Sequence, residues 1–477
     1  MALHALLGWD IMVASFVVAV ISAIYVTAGG QTAVIMTDVV QGVILLIAGL
    51  LLFYLGWRAL GGPADFWMDL PYRHRLSLAY FNNPPEFNFI GVLGQDGLAQ
   101  SMSVYFMNQG MIMRFLSAKS VKESRRALVL VLIFLQVLAA LAVAGAGWVG
   151  RSMVSQGLLP GDSNAKTVFV LVANMLCQPG VFGLMMAALT AALMSTADTL
   201  INAISAVTVN DVYKPFFKPD APDKHYLRMA RVISIAAAAV GMILVPVFAS
   251  FESIYAAHGA FTAAVGPPMG VILLLGAFWP RFTRQAAFYT LIVGAAALAL
   301  SMVYPDVLRP FAFGTERGSG SFLKTWIYAR AFYGIVVCGG FAVVFALLTK
   351  PEPAERIRGL VWGTIRDAEA AFKGSEPNHD DGEPITGMAR LLPEDQCTMV
   401  NDRYEVRVPE WAFEKLAARG GDLVHVSDRR WWLGGLRSAQ AVLAAAPDDE
   451  EMVGLPPKFV EASGVRTGEI VKVEKIL

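Results

Sequence analysis

Leu184-Met-Met-Ala-Ala-Leu-Thr-Ala-Ala-Leu-Met-Ser-Thr-Ala-Asp-Thr-Leu-Ile-Asn202 decides how the rest of the chain is read. It is long and apolar enough to cross a bilayer, whose hydrocarbon core takes about 20 residues of helix. It also carries a polar seam. Ala188, Ala192, Ser195, Thr199, Asn202 and Ala206 follow at steps of four and three, which keeps them on one helical face. Asp198 lies within that face, beside Ser195 and Thr199. Small residues let a neighbouring helix approach closely. Hydroxyls and a carboxylate at membrane depth are costly unless they meet a partner. Two readings follow: a helix–helix contact glued by hydrogen bonds, or an oxygen-rich seam for a hard cation such as Na⁺.

The composition agrees with a membrane chain. Only 16% of the 477 residues are charged, against about 25% in soluble proteins. Formal net charge is zero, so nothing in it favours a nucleic-acid partner. Cys177, Cys338 and Cys397 show neither metal-ligand spacing nor a disulfide framework, and the six histidines form no metal cluster. The basic n-region and cleavage site of a secretory signal are not seen ahead of the first span.

Apolar runs place nine spans at roughly 11–29, 34–57, 89–113, 127–150, 181–207, 228–249, 252–278, 285–303 and 326–349. Alternate links are rich in Lys and Arg: Arg114, Lys119, Lys122, Arg125 and Arg126 after the third span, Lys214, Lys218, Lys224 and Arg228 after the fifth, Arg281 and Arg284 after the seventh. The opposite links hold fewer for their length, although 151–180 has Arg151 and Lys166, and 304–325 has Arg309, Arg317 and Lys324. The basic links are therefore predicted to be cytoplasmic, which puts the C-terminal tail inside and Met1 outside.

Three spans carry further signals. The link Thr27–Asp38 reads as a tight turn in which Gly29-Gly30 supply φ freedom, with Asp38 and Gln41 at the start of the second span. Asp38 is then either a helix-start carboxylate or an acid on an ion path. The third span is interrupted by Gln95, Asp96, Gln100, Ser101, Ser103, Tyr105, Asn108 and Gln109 and by several glycines. Ser101, Tyr105 and Asn108 share a face, which reads as polar glue or as a substrate path, since discontinuous helices mark binding sites in secondary transporters. The seventh span contains Gly266-Pro267-Pro268, a static kink or a gate, and a lone His258.

Composition changes after Lys350. The domain plan is a transmembrane domain over 1–350, a charged linker over 351–390 with an amphipathic helix near Ile357–Phe372, and a soluble cytoplasmic domain over 391–477. The last contains two repeated units offset by 47 residues: Val406-Arg-Val-Pro409 matches Val453-Gly-Leu-Pro456, and Gly421-Asp-Leu-Val-His-Val426 matches Gly468-Glu-Ile-Val-Lys-Val473. Each unit reads as strand, short helix, Gly turn, strand, so a small pseudo-symmetric α+β or β domain is predicted, similar in pattern to swapped-hairpin β modules. Trp431-Trp432 with Gly434-Gly435 joins the halves, as strand packing or a ligand contact. No catalytic constellation stands behind an enzymatic reading.

Four stretches together resemble the sodium:solute symporter family. Tyr25–Gln41 resembles its “Y-T-x-x-G-G-x-x-A-V-x-x-T-D-x-x-Q” segment, and Asn108–Ser120 its “N-Q-x-x-x-Q-R-x-L-A-A-K-S”. Ala191–Thr196 followed by Val209–Lys214 looks like its cation-site helix with “D-x-Y-K”, and Leu274–Arg281 like its “L-L-G-x-F-W-x-R”. The match covers about residues 10–350 and not the tail.

The resemblance implies an all-α polytopic, partial LeuT-like fold, in which inverted repeats of five helices face each other. It implies Na⁺-coupled symport of a small organic solute by alternating access in the bacterial inner membrane, with Na⁺ as coupling ion and no other cofactor. It places the principal Na⁺ site at the Ala192 carbonyl and the Ser195 and Thr196 hydroxyls. A second cation site or ion path falls on Asp38, Asp198 and Thr199. Asp198 departs from the family, where hydroxyls are usual; it would strengthen cation binding or take a proton. The substrate path falls on Ser101, Tyr105, Asn108 and Gln109. Ser101 and Tyr105 stand where sugar-transporting relatives place Asn and Trp, so sugar is not favoured.

The match opens where the family's fourth core helix begins, with the first three core helices absent. A fragment or misplaced start is therefore expected. The other expectations are one half of a split transporter, with a partner supplying the missing helices, and a transport-incompetent membrane sensor or regulatory protein.

Overall fold

A computed structural model of the chain describes residues 8–75, 93–163, 168–249, 254–313, 317, 325–429, 437–446 and 452–477. Their contacts divide into two units, Met1–Ala118 with Ser124–Leu273 and Phe288–Val344, and Lys119–Glu123 with Leu274–Ala287 and Phe345–Leu477.

The first unit is helical. The helices that matter for the site and its frame are α1 (Ile11–Ala59), α2 (Gln109–Leu116), α3 (Val121–Ser155), α4 (Pro179–Val207), α5 (Asp223–Ala249), α6 (Ile254–Phe278), α7 (Arg284–Val303) and α8 (Ile327–Leu348), the ends of α3, α6, α7 and α8 reaching into the second unit. Among the described residues seven helices, all of these but α2, are long and apolar enough to cross a membrane. The difference from nine expected spans has two sources. The first two spans form α1, whose one non-helical residue is Gly30 (φ 58°, ψ −151°). The third is not one helix: it has π-type turns over Leu93–Gln100 and Ser103–Met107, an extended Asn108 (φ −75°, ψ 103°), and then α2. Residues 89–92 of that span lie outside the described residues.

Gly30 reverses the chain. Before it, Ala14 and Val18 cluster with Met186 and Met194, and Val26 with Ile201, so the first arm of α1 runs parallel to α4. After it, Val34 is in the Ile201 cluster while Ala48 and Leu52 share a core with Met185 and Ala188, so the second arm runs back along α4. A left-handed φ is easily reached only by glycine, which is why the turn falls there. The turn is one residue wide, narrower than the link expected over 27–38. Asp38 consequently lies about two turns into the second arm, not at a helix start, and the dipole reading of it does not hold. The second arm also packs on α3 through Phe53, Ala146, Val149 and Met153. Close approach there rests on small residues: a Cβ on Gly49 would come within 2.6 Å of the Ala142 carbonyl oxygen.

In the second unit, residues 277–287 are tied to 345–362. Arg281 Nη1 donates to the Thr349 carbonyl at 2.8 Å, the Thr283 and Thr349 hydroxyls lie 2.7 Å apart, and the Phe278 and Trp362 rings are 5.4 Å apart. The expected amphipathic helix near 357–372 is shorter, α9 over Ile365–Lys373, capped by left-handed Gly374.

The tail builds a closed β structure from β1 (Ile385–Leu391), β2 (Met399–Val400), β3 (Arg403–Val408), β4 (Leu423–Asp428), β5 (Ser438–Ala445), β6 (Met452–Leu455) and β7 (Ile470–Lys475), with α10 (Glu410–Leu416) and α11 (Pro457–Ser463). The order is β2-β3-β5-β4-β7-β1-β6, and β6 returns to β3 at Arg407–Gly454, closing the barrel. Each repeat is strand, helix, turn, strand, as the sequence reads. The lead strand of each half is exchanged: β1 pairs parallel with β6 and antiparallel with β7, while β5 pairs parallel with β3 and antiparallel with β4. The core is the inward set Val406, Val408, Val424, Val426, Leu443, Val453, Leu455, Val471 and Val473, plugged by Leu416 and Phe459 from the two helices. β1 begins at Ile385, so the barrel includes residues from the expected linker. Trp431-Trp432 and Gly434-Gly435 lie outside the described residues.

Candidate functional site

The seam of α4 faces both arms of α1 and the start of α2. Asn202 donates to the Gln31 side chain just past the Gly30 turn. One turn earlier, the Tyr25 hydroxyl donates to Asp198 Oδ2, and Thr199 Oγ1 lies 3.3 Å from Asp198 Oδ1. One turn earlier again, the Ser195 hydroxyl donates to Asp38 Oδ1. The other oxygen of Asp38 pairs with Arg114 on α2, whose same Nη2 donates to Thr199 Oγ1 at 2.9 Å.

Asp38, Ser195, Asp198 and Thr199 are thus joined in one network. Asp198 is fully buried. Among the described residues it is held by hydroxyl donors and makes no ion pair, whereas Asp38 has Arg114. Two carboxylates and one guanidinium leave the ionised network with one uncompensated negative charge. Burial makes such an imbalance expensive, so a monovalent cation or a proton is favoured there.

The remaining residues of the predicted sites are placed apart. Thr196 is exposed and its hydroxyl donates to the Ala192 carbonyl at 3.1 Å, as hydroxyls in helices commonly do. Ala192, Ser195 and Thr196 therefore sit on adjacent faces of one turn, with Ser195 alone bonded into the network. Ser101 Oγ reaches the Asp96 carbonyl at 3.2 Å. Tyr105 is exposed. Asn108 caps α2, its Oδ1 accepting from the Met111 amide at 3.3 Å, and Gln109 opens that helix. The extended Asn108 breaks the register on which it would share a face with Ser101 and Tyr105. Gln100 is elsewhere again, accepting from Thr262 of α6 at 3.1 Å, with His258 Nδ1 3.4 Å from the same hydroxyl. Pro267 of α6 fits against Gly334 of α8, where a Cβ would come within 2.7 Å of the proline ring.

Arg114, Tyr25 and Gln31 were not singled out by the sequence as site residues. Arg114 counts there among the basic residues of a cytoplasmic link, yet its guanidinium lies on Asp38. The available signal is that all three fall in the two family-like segments, 25–41 and 108–120. Gly110 shows why α2 can come this close: a Cβ there would lie 2.3 Å from Thr199 Cγ2.

A bundle of this kind, with an internal polar network between apolar helices, defines an integral multi-pass membrane protein. The profile of the sodium:solute symporter family matches residues 2–294. The chain belongs to that family. It is similar to the sodium/glucose cotransporter of Vibrio parahaemolyticus, with 27% identity over 331 residues, 65% of this chain and 60% of that protein. It is similar to the high-affinity proline transporter PutP of Bacillus subtilis (strain 168), with 29% identity over 298 residues, 62% of this chain and 61% of that one. A Na⁺-coupled sialic acid symporter solved in a substrate-bound outward-open state shares the fold, with a TM-score of 0.52 and 22% identity over 72% of this chain and 68% of that one. The chain spans about 60% of the length of the curated relatives it matches.

Proposed function

We propose that the chain takes part in Na⁺-coupled symport of a small organic solute by alternating access. The observation that carries this reading is the α4 network, in which a buried carboxylate without an ion-pair partner among the described residues stands beside the hydroxyl seam. Family membership supplies the kind of activity. In this reading the Ala192 carbonyl and the Ser195 and Thr196 hydroxyls are the principal Na⁺ ligands, and Thr196 turns from the Ala192 carbonyl toward the ion. Three oxygens from one turn are fewer than a hard cation takes, so further ligands come from other segments or a partner. Asp38, Asp198 and Thr199 form a second cation site or ion path, with Arg114 balancing Asp38. The solute path runs by Ser101, Tyr105, Asn108 and Gln109. The barrel lies on the cytoplasmic side of a bacterial inner membrane, as the Lys and Arg distribution favours.

The test is Na⁺-gradient-driven uptake of labelled candidate solutes (amino acids, sialic acids, monocarboxylates) by vesicles carrying the full chain. Ser195→Ala and Thr196→Ala are expected to raise the Na⁺ requirement. Uptake with unchanged Na⁺ dependence in both variants would remove the site assignment, and uptake indifferent to Na⁺ would remove the coupling.

A further inference from the structure

The turn between α2 and α3 belongs with the barrel. Residues Lys119–Glu123 fall in the same compact unit as Phe345–Leu477. Lys119 forms an ion pair with Glu474 of β7, and Lys122 one with Asp381. The two contacts differ in weight. Glu474 is mostly buried and is also held by Lys472. Lys122 and Asp381 are both well exposed, and such pairs contribute little.

Both acids stand on rigid ground. Glu474 is in the ladder between β7 and β4, opposite His425. Asp381 is in a strap fastened at three points: Asn378 donates to the Ala417 carbonyl at 3.1 Å and to Asp422 at 2.7 Å, and the Glu383 amide to the Lys415 carbonyl at 2.8 Å. Asp422 is itself fixed by buried Lys373 at 2.6 Å.

The turn is hydrogen-bonded at each end. On the α2 side, Ser117 Oγ donates to the Arg114 carbonyl at 2.8 Å and the Ser117 amide to the Met113 carbonyl at 3.0 Å. On the α3 side, the Glu123 amide donates to Ser120 Oγ at 3.2 Å. A pull on Lys119 is therefore passed along the backbone to α2, a helix of only two turns that carries Arg114 to Asp38 and Thr199. We propose that the barrel surface around Glu474 is a docking site for the basic turn Lys119–Glu123 of the same chain, and that this docking fixes α2 and with it the position of Arg114 in the polar network. The barrel is then a regulatory module acting on the ion path. Anything that competes for Glu474 or for Lys119 loosens α2.

The experiment is hydrogen exchange of the full chain, read separately over 109–116, 117–123 and the barrel strands, for Lys119→Glu, Glu474→Lys and the double charge swap. Each single change is expected to raise exchange over both 109–116 and 117–123 by about fivefold, the scale set by losing one partly buried ion pair. The double swap is expected to restore both to within about twofold, since only a direct pair couples in this way. Faster exchange confined to 117–123 would overturn the transmission to α2. No change in either single variant, or a double swap as fast as the singles, would overturn the docking. If Glu474→Lys also loosens the barrel strands, Lys119→Glu, whose substitution lies outside those strands, decides by comparing 109–116 with the barrel strands in the same chain. A second readout rests on the proposed function: half-saturation by Na⁺ shifts several-fold in the singles and returns in the swap. A wild-type chain that binds no Na⁺ would sink that function and leave the exchange result to judge the docking.

Discussion

Arg114 uses one nitrogen, Nη2, for both of its contacts, pairing with Asp38 and donating to Thr199 at 2.9 Å. It thereby ties α2 to the second arm of α1 and to the seam of α4. Arg114→Ala leaves the Asp38 carboxylate, 14% exposed, with the Ser195 hydroxyl as its one remaining side-chain partner among the described residues. The expected loss is about 1–3 kcal/mol, the cost of stranding a largely buried charged acceptor. Thermal unfolding of the detergent-solubilised chain measures it. Arg114→Lys keeps the charge and should recover part of the loss, and an Arg114→Ala chain as stable as wild type would contradict the network.

Gly110 tests the approach of α2 to α4. An added methyl would lie 2.3 Å from Thr199 Cγ2, too close to be absorbed. Gly110→Ala should cost about 1–3 kcal/mol through overpacking. Thr199→Ser in the same chain removes Cγ2 but keeps the hydroxyl for Arg114, and should restore most of the stability. A double variant no better than Gly110→Ala would place the strain elsewhere.

Lys373 and Asp422 form a pair in which each side chain is 3% exposed, 2.6 Å apart. Breaking it from one side leaves a buried charge. Lys373→Met should destabilise the barrel by about 3–5 kcal/mol, seen as faster hydrogen exchange in β4 and β7 of the full chain. Lys373→Met with Asp422→Leu should lose less than Lys373→Met alone, because no charge is then stranded. Asn378 and the Arg419 amide also serve Asp422, so this recovery is expected to be partial.

The barrel should weaken in acid in two steps. Burial, with Lys119 and Lys472 nearby, holds the His425 imidazole below its ordinary value of 6.5. The unfolded chain therefore binds more protons as pH falls below 6.5, and stability falls with it. Burial opposes ionisation of Glu474, yet hydrogen bonds from Lys119 and Lys472 keep its carboxyl below the ordinary 4.5. Its contribution is present above 4.5 and is lost as pH drops further. Exchange of the barrel amides from about pH 8 to about pH 2.5, corrected for intrinsic rates, should show both steps, and His425→Gln should remove the upper one. An upper step that survives His425→Gln would assign it to another group.

The membrane class, the α4 seam and the barrel repeat are legible in the sequence because each is periodic. Ser195 and Thr199 lie on one face by counting, and Val406 with Val453 by offset. What counting does not give is the partner. Arg114 carries a cytoplasmic signal as a basic residue after a span, and only the folded chain turns it back onto Asp38. The turn at Gly29-Gly30 is legible but its width is not, because the residues on either side are equally helical, so that one left-handed residue does the work expected of a longer link. β1 reads as linker for a related reason. Its partners, β6 and β7, belong to the other repeat, and exchange between halves leaves no local pattern.

Saturable binding of radiolabelled Na⁺ to the purified full chain tests the cation reading most directly. Binding displaced by unlabelled Na⁺ but not by K⁺, and weakened by both Ser195→Ala and Asp38→Asn, is the expected result. Saturable binding that ignores both substitutions would show that the seam of α4 is a helix contact and not an ion site.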